Sequence, residues 1–319
     1  MKALRLTSGR LAIDEVPIPE PRHEALVRVT ASGICNTDLE IVRGYAGFSG
    51  TLGHEFAGVV ESAEDMPGLV GKRVVGEINA GCGDCDVCVN GDTRHCPRRT
   101  VLGILGRDGC HADFLTLPSQ NLLEVPDSVT DDEAVFVEPL AAAYGITEQV
   151  EITADTRVAV IGDGKLGLLC AMALRLKTSD ICLIGRHANK LSIAEDAGIS
   201  GILDTEAANL ARGFDVVVEA SGSESGFASA VELVRPRGRI VLKSTFHGTP
   251  QWPASRIVVD EITVVGSRCG RFEPALNLLA EKKIDVTRLI SEEFPLGSGV
   301  AAIERAAEKG VLKVLLKMA

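Results

Sequence analysis

Strand-like and helix-like segments alternate from residue 157 to residue 268, and this alternation restricts the possible folds more than any other feature. Short apolar runs such as VAVIG (158–162) and ICLIG (181–185) are followed by helical patterns such as KLGLLCAMALRLK (165–177). Parallel strands need a crossover between them, and a helix usually supplies it. The alternation therefore predicts an α/β fold, a doubly wound parallel sheet of the Rossmann type.

The segments before and after this region differ in character. Residues 1–130 contain short strand-like runs separated by glycine and proline, among them EALVRVT (24–30) and KRVVGEIN (72–79). Such spacing is typical of a mainly β domain, here a partly closed barrel. After residue 270, helical patterns precede a final strand, VLKVLLKM (311–318). A mainly β domain is therefore expected in addition to the Rossmann domain.

Length, charge and cysteine usage narrow the function. The 319 residues suffice for two domains, and a formal net charge of −11 argues against binding to nucleic acid or anionic membranes. The N-terminal MKALRLTSGRLAIDEV lacks the apolar core of a signal peptide, and the most apolar run, LGLLCAMAL (166–174), is too short to span a bilayer. The nine cysteines are odd in number and five are scattered singly, which favours reduced thiols over disulfides. We therefore expect a cytoplasmic protein.

A loop at residues 81–96, GCGDCDVCVNGDTRHC, holds four closely spaced cysteines, Cys82, Cys85, Cys88 and Cys96. Four thiolates in one loop suit a tetrahedral zinc, and an iron–sulfur cluster also takes four cysteines. Four ordinary buried cysteines in a polar, glycine-rich loop are the less specific alternative. Because four protein ligands close the coordination sphere, either metal would hold the loop in shape and leave catalysis to residues elsewhere.

A glycine-rich motif follows the first strand of the predicted Rossmann domain. In VAVIGDGKLGLL (158–169), the glycines have G-x-G-x-x-G spacing between an apolar strand and a helix. In that context the backbone and the helix N-terminus bind the pyrophosphate of a dinucleotide. The alternative is a glycine-rich turn without a ligand. The motif predicts dinucleotide contacts from Gly162, Gly164, Lys165, Leu166 and Gly167.

The end of the second strand of this domain bears on the choice between NAD and NADP. NAD-binding proteins usually place an acid there for the ribose 2′-hydroxyl, but this chain has Gly185 followed by Arg186, with His187 and Lys190 nearby. A guanidinium suits a 2′-phosphate, so the sequence favours NADP. Alternatively, Arg186 stacks on adenine or is simply solvated.

The ends of the later strands are expected to border the same cofactor. Ser221, Ser244 and Arg268 stand where successive strands of the alternating region end. Ligands of open α/β sheets bind beyond the carboxyl ends of the strands, so these residues are further candidates for cofactor binding.

Several motifs in sequence order resemble those of a known family. They are GICNTD (33–38), GHEFAG (53–58), the cysteine loop, VEPLA (137–141) and GDGKLG (162–167). Over nearly its whole length the chain resembles the zinc-dependent medium-chain dehydrogenases, which include alcohol, polyol and threonine dehydrogenases. The resemblance implies a GroES-like catalytic domain (1–143) with a structural-zinc lobe (81–97), a Rossmann domain (144–268), a C-terminal return to the catalytic domain (269–319), and an active site in the cleft between the domains.

The resemblance also implies a second, catalytic zinc, so that each chain would hold two ions. Cys35 and His54 match its ligands, Glu138 matches the remaining ligand of the polyol and threonine branch, and Glu55 matches a glutamate that ligates directly or exchanges with water. Thiolate, imidazole and carboxylate would leave one open position for water or an alcohol. Each residue taken alone has a structural alternative, such as a core thiol or a buried histidine.

Two further residues carry roles implied by the resemblance. Thr37 matches the hydroxyl that relays the substrate proton, and Asp38 matches the carboxylate that orients the histidine ligand. Many relatives have histidine at the position of Glu40, which is either a relay carboxylate or a solvated surface acid. The implied reaction is hydride transfer between an alcohol and NAD(P), with polyols, sugars or amino-alcohols favoured as substrates.

Two other functions stay open at this point. One is a zinc-free relative, a quinone or enoyl reductase, and the other is a non-enzymatic binding protein that keeps the fold. Relatives form dimers or tetramers, so a homodimer or homotetramer is expected. A substrate pocket is expected near Tyr45, Phe48, Cys110 and His111. Alternatively, Tyr45 and Phe48 belong to the hydrophobic core.

Overall fold

The computed structural model describes residues 1–207, 210, 212–244 and 253–319. They form two compact units. Unit 1 comprises Met1–Glu138 and Phe272–Ala319, and unit 2 comprises Pro139–Arg271. No helix in these described ranges has the length and apolar character needed to cross a bilayer.

Unit 1 is mainly β. Its elements are the strands β1 Lys2–Thr7, β2 Arg10–Glu15, β3 Ala25–Gly33, β4 Gly50–Thr51, β5 Glu55–Ser62, β6 Arg73–Gly76, β7 Asn79–Ala80, β8 Thr100–Leu102, β9 Gly106–Arg107, β10 Phe114–Leu117, β11 Leu122–Glu124, β18 Ile290–Pro295 and β19 Lys313–Lys317, and the helices α1 Asn36–Val42, α2 Asp86–Val89, α3 Asp131–Ala134, α11 Phe272–Ala280 and α12 Gly299–Ala306. Helix α4, Val137–Tyr144, contains the boundary between the units.

The main sheet of unit 1 has the strand order β11-β6-β5-β3-β19-β18, and β10 also pairs with β3. Along β3, buried and half-buried residues alternate, as expected of a strand with one face on the core. Strand β19 comes from the C-terminal segment and pairs antiparallel with β3, with Leu315 opposite Gly33. The C-terminal segment therefore completes the sheet that the N-terminal segment begins.

Unit 2 has an α/β architecture. Its strands are β12 Val158–Ile161, β13 Ile181–Gly185, β14 Ser200–Leu203, β15 Phe214–Glu219, β16 Val234–Leu242 and β17 Thr263–Gly266, and its helices beyond α4 are α5 Ile146–Gln149, α6 Lys165–Arg175, α7 Ala188–Asp196, α8 Asp204–Ala207, α9 Glu224–Leu233 and α10 Ala254–Val259.

The strands of unit 2 form one parallel sheet in the order β14-β13-β12-β15-β16-β17 within the described residues. All residues of β12 and β13 are buried, because helices cover both faces of such a sheet. This order reverses at β12, the strand that precedes the glycine-rich motif, so the loops after β12 and β15 lie at a topological switch point. The predicted doubly wound sheet is confirmed.

The sequence interpretation missed the N-terminal hairpin. Strands β1 and β2 pair antiparallel from Lys2 opposite Glu15 to Thr7 opposite Arg10, and Ser8 and Gly9 both have positive φ. Two central residues in that conformation match the twist of a tight hairpin. The alternating pattern of KALRLT followed by Ser-Gly is the signal that would have predicted it.

Candidate active site and metal lobe

The start of helix α1 positions three of the candidate site residues. Cys35 is the N-cap, and its backbone N–H donates to Asp38 Oδ2 at 2.8 Å, which closes a capping box. Thr37 lies in the first turn, with its Oγ1 3.7 Å from Cys35 Sγ. The local sequence C-N-T-D therefore fixes the relative positions of thiol, hydroxyl and carboxylate.

The neighbouring strand brings His54 and Glu55 to the same place. Glu55 pairs with Gly33 across β3 and β5, and a Cβ at Gly33 would lie only 2.4 Å from Glu55 Oε2. The candidate ligand atoms of Cys35, His54 and Glu55 all lie within 4.8 Å of one another. This triad has the ligand types and spacing of a zinc site that leaves a coordination position open.

Two polar features show that the triad fits a cation. Glu55 Oε1 is buried and has no hydrogen-bond partner among the described residues, although an unpaired buried carboxylate oxygen is costly. His54 Nδ1 lies 3.4 Å from Asp38 Oδ1, so Nε2 is the ring nitrogen left to act as a ligand. A divalent ion at the triad would satisfy both groups.

Charges around the triad shift the pKa values of Asp38 and His54. Burial alone would raise the pKa of Asp38, but the imidazoles of His54 and His111 lower it well below its usual value. Burial lowers the pKa of His54, but Asp38 and Cys35 outweigh it and raise this pKa well above its usual value. The carboxylate of Asp38 is therefore ionised, and its negative charge lies beside the His54 ring.

Glu55 and Glu138 have different surroundings. Glu55 is fully buried and forms an ion pair with Lys313 Nζ, which is also fully buried. Glu138 is half-buried and is not part of the triad within 4.8 Å. Burial and the nearby charge of Glu55 raise the pKa of Glu138 to about 7, against the opposing effect of His54. Glu55 thus supplies a carboxylate oxygen within 4.8 Å of the ligand atoms of Cys35 and His54.

His111 lies in a buried polar network. Its side chain has no exposed surface, its Nδ1 is 2.9 Å from Ser32 Oγ, and its Nε2 is 3.6 Å from Asp38 Oδ2. Gly53 has φ +95°, and a Cβ there would lie 2.4 Å from His111 Nδ1, so only glycine leaves room for the ring. The sequence interpretation missed Lys313 as a polar contact of the site. It named His111 only as a candidate near the substrate pocket and did not predict its contact with Asp38.

The remaining candidates near the site also have definite positions. Cys110 is fully buried, whereas Tyr45 is exposed. Phe48 is half-buried against the core cluster of Leu6, Ile41 and Leu52. Glu40 accepts a hydrogen bond from Arg43 Nη1 at 2.7 Å, an i,i+3 pair on the surface of α1.

The four cysteines of the lobe converge on one point. Their Sγ atoms lie within 4.8 Å of one another, with Cys82–Cys96 at 3.5 Å, Cys85–Cys96 at 3.7 Å and Cys82–Cys88 at 3.9 Å. A tetrahedron with zinc–sulfur bonds of about 2.3 Å has edges of about 3.8 Å. A hydrogen bond from Gly83 lowers the pKa of the Cys88 thiol, but burial and the three neighbouring thiols raise it to about 12. The lobe therefore fits a cation that would stabilise four thiolates.

The three glycines of the nucleotide motif have different environments. Gly162 has φ +114°, and a Cβ there would lie 2.6 Å from Ala220 O. A Cβ at Gly167 would lie 1.8 Å from Gly162 O, whereas the space beside Gly164 is empty within 4 Å. Gly164 also caps helix α6. The loop thus turns tightly, packs on its own helix and leaves room for a pyrophosphate at the helix N-terminus.

The other candidate cofactor contacts follow strand ends, except Lys190, which lies in helix α7. Arg186 is exposed after β13, with Nε 3.3 Å from Asp204 Oδ2, and the side chain of Lys190 is buried. Ser221 Oγ donates to Glu219 Oε1 at 2.6 Å, and Ser244 Oγ accepts from Gly222 N at 2.8 Å.

Lys243 and Lys165 also belong to this part of unit 2. Buried Lys243 donates from Nζ to Ala142 O at 2.7 Å and to Arg268 O at 3.2 Å, so it holds the chain next to the Arg268 candidate. Lys165 is buried in the first turn of α6, and Leu166 after it is half-buried. Neither Lys243 nor Glu219 was predicted from the sequence.

Comparison with known proteins identifies the family. Residues 21–127 match the alcohol dehydrogenase GroES-like domain, and residues 166–281 match the zinc-binding dehydrogenase domain. The chain is 31% identical to a sorbitol dehydrogenase of Halalkalibacterium halodurans, with 99% of each chain covered.

Two solved structures are also similar. A zinc-binding dehydrogenase from Sinorhizobium meliloti 1021 bound to NADP is 31% identical, with a TM-score of 0.90 over 99% of this chain and 98% of the other. An alcohol dehydrogenase from Escherichia coli CFT073 in complex with NADH is 27% identical, with a TM-score of 0.91 over 99% of each chain. The chain therefore belongs to the zinc-dependent medium-chain dehydrogenase family and is an NAD(P)-dependent alcohol oxidoreductase.

Proposed function

We propose that this enzyme oxidises polyols, sugars or amino-alcohols, with NADP favoured over NAD and with two zinc ions per chain, one catalytic and one structural. The observation that carries the proposal is the convergence of Cys35, His54 and Glu55 within 4.8 Å beside the hydroxyl of Thr37. The similarity to a sorbitol dehydrogenase supports the polyol class of substrate.

Cys35 and His54 would hold the catalytic ion together with a carboxylate, which is Glu55 in the geometry seen here and Glu138 in an alternative arrangement. Zinc bound there would acidify an alcohol hydroxyl and polarise a carbonyl. The Thr37 hydroxyl lies on the same helical turn as the Cys35 ligand and would pass the substrate proton outward. Asp38 fixes the imidazole, and Lys313 fixes Glu55.

The cofactor proposal rests on unit 2. Gly162, Gly164 and Gly167 would cradle the pyrophosphate at the start of α6, and Arg186 would pair with the 2′-phosphate in place of Asp204. Lys190, Ser221, Ser244 and Arg268 would border the adenosine and nicotinamide ends. Similar structures contain NADP in one case and NADH in another, so the preference needs its own test.

We also propose a cytoplasmic homodimer or homotetramer. Every cysteine in the described ranges is a free thiol, as a reducing compartment would keep them. Strand β17 lies at the edge of the unit 2 sheet, and the nearby Val258 and Val259 are 74% and 79% exposed, a combination that a partner subunit would cover.

The decisive experiment is an oxidation screen of alcohols, polyols and sugars with NAD and NADP side by side, run on protein of measured zinc content. Two zinc ions per chain, turnover of a polyol or sugar, and a preference for NADP that Arg186→Asp reverses are expected. One zinc per chain together with reduction of an activated double bond would instead show a quinone or enoyl reductase. An unchanged cofactor ratio in Arg186→Asp would refute the NADP argument.

A further inference from the structure

Asp163, the second residue of the glycine-rich motif, reaches from the first loop of unit 2 to the end of the second strand. Its Oδ2 accepts hydrogen bonds from the backbone N–H groups of Arg186 and His187, both at 2.7 Å. The same oxygen lies 2.9 Å from His187 Nδ1. The side chain of Asp163 is buried, so this carboxylate is committed to the turn that follows β13.

The carboxylate also explains why glycine occupies the strand end. A Cβ at Gly185 would lie 2.5 Å from Asp163 Cβ and 2.7 Å from Asp163 Oδ2. Such separations are too short for any side chain, so the acid usually found at this strand end is excluded by the acid of the preceding loop. The position of the Asp163 side chain therefore requires glycine at position 185.

The hydrogen bonds determine which groups of the turn remain for a ligand. The backbone N–H groups of Arg186 and His187 already donate hydrogen bonds to Asp163, and the imidazole of His187 also faces this carboxylate. Burial would raise the pKa of Asp163, but these donors lower it, so the carboxylate is ionised at neutral pH. The Arg186 side chain is 62% exposed and is the cationic group of this turn that can swing to a new partner.

We propose that Asp163 is a positioning residue for cofactor selection, which holds the Gly185–Arg186–His187 turn so that Arg186 reads the substituent at the 2′ position of the adenosine ribose. The proposal rests on dinucleotide binding by unit 2 but not on which dinucleotide is preferred. Loss of the carboxylate removes the fixed geometry of the turn. Selectivity between a 2′-phosphate and a 2′-hydroxyl should therefore decrease, whichever of the two the wild type prefers.

The test uses two half-ligands and equilibrium binding, without turnover. Adenosine 2′,5′-bisphosphate and adenosine 5′-monophosphate are titrated by calorimetry into the wild-type enzyme without bound dinucleotide. The same titrations are made into Asp163→Ala, Asp163→Asn and the exposed control Asp155→Ala. We expect Asp163→Ala to reduce the selectivity, measured as the ratio of the larger to the smaller Kd, by at least about five-fold, since several hydrogen bonds to a charged group are lost. Asp163→Asn, which keeps an acceptor, should show a smaller change, and Asp155→Ala should show none.

Other outcomes would overturn the proposal. Equal weakening of both half-ligands would show that Asp163 only supports the glycine-rich loop. Tighter binding of the bisphosphate alone would show that Asp163 repels a 2′-phosphate instead of positioning Arg186. If Asp163→Ala fails to fold, the ratio in Asp163→Asn decides, and no change there refutes the inference. The wild-type ratio separately tests the NADP preference, so the two can fail independently.

Discussion

Asp38 Oδ1 lies 3.4 Å from His54 Nδ1, with both side chains buried. The other oxygen of the same carboxylate accepts the backbone N–H of Cys35 at 2.8 Å and lies 3.6 Å from His111 Nε2. One carboxylate thus orients two candidate metal ligands, one through its imidazole and the other through its backbone. The orientation of Cys35 and His54 in the triad therefore depends on Asp38, although Asp38 is not itself a proposed ligand.

Asp38→Asn should therefore weaken metal binding at the triad without displacing the lobe. The amide lacks the negative charge that holds His54, and changes of this kind cost about 10–100-fold in metal affinity or activity. Zinc retention during titration with a chelator, followed by mass spectrometry of the metal content, measures the effect. The exposed Asp127→Asn is the matched control and should retain zinc like the wild type. Equal retention in both variants would show that Asp38 does not orient a ligand.

Lys313→Met should destabilise unit 1 strongly. Burial lowers the pKa of Lys313, but Glu55 raises it above its usual value, so the Lys313 ammonium is charged and pairs with the Glu55 carboxylate. Removing one partner of a buried pair leaves an uncompensated charge and costs about 3–5 kcal/mol. Urea unfolding followed by circular dichroism measures the loss.

Two further variants make the Lys313 experiment specific. Adding Glu55→Gln to Lys313→Met should recover much of the lost stability, because the unpaired charge is removed. Lys317→Met breaks a partly exposed pair with Asp132 and should cost less than about 1 kcal/mol. A cost for Lys313→Met no larger than that of Lys317→Met would contradict the ion-pair interpretation.

The two metal sites should be separable by mutation. Cys85→Ser removes one of four sulfur ligands of the lobe and should damage folding or assembly, because a structural zinc supplies folding free energy directly. Cys35→Ser should give a folded protein that does not turn over. Each variant should hold one zinc per chain where the wild type holds two, as measured by mass spectrometry alongside size-exclusion chromatography. A stable, fully assembled Cys85→Ser protein would refute the structural role of the lobe.

Two of the scattered cysteines of unit 2, Cys170 and Cys182, should resist alkylation at pH 8. Burial raises the pKa of Cys170 to about 11 and that of Cys182 to about 12. A thiol is neutral below its pKa, so at pH 8 only about one in a thousand or fewer of these groups is the reactive thiolate. Iodoacetamide treatment and peptide mapping of native protein should leave both unmodified, whereas urea-unfolded protein should react at both. Rapid native labelling of either residue would show that it is accessible through local opening.

The sequence predicted those parts of the molecule whose signals are local. The alternation after residue 157 and the spacing of Gly162, Gly164 and Gly167 reflect periodicity and backbone needs within a few residues, and the doubly wound sheet is confirmed. The cysteines of the lobe are close in sequence and converge in space.

Contacts between distant segments were beyond such signals. Lys313 stands in an apolar strand pattern, and nothing nearby indicates that it pairs with Glu55, 258 residues away. The contacts of Asp163 with Arg186 and of His111 with Asp38 depend equally on tertiary packing. The family resemblance indicated both Glu55 and Glu138 as ligands, and the strand pairing of Glu55 with Gly33 places Glu55 beside Cys35 and His54.

The pairing of β19 with β3 has a consequence for biosynthesis. At about 5–20 residues per second, the ribosome needs about 10–50 s to proceed from Glu55 to Lys313, a separation of 258 residues. During that interval β3 lacks its β19 neighbour, and buried Glu55 lacks its counter-charge. Unit 2 lies wholly within the intervening segment and can fold before β19, the last strand of unit 1, has been synthesised. If both sites bind zinc as proposed, the triad would be loaded late, after translation, whereas the cysteine lobe, complete by residue 96, could bind its ion while synthesis continues.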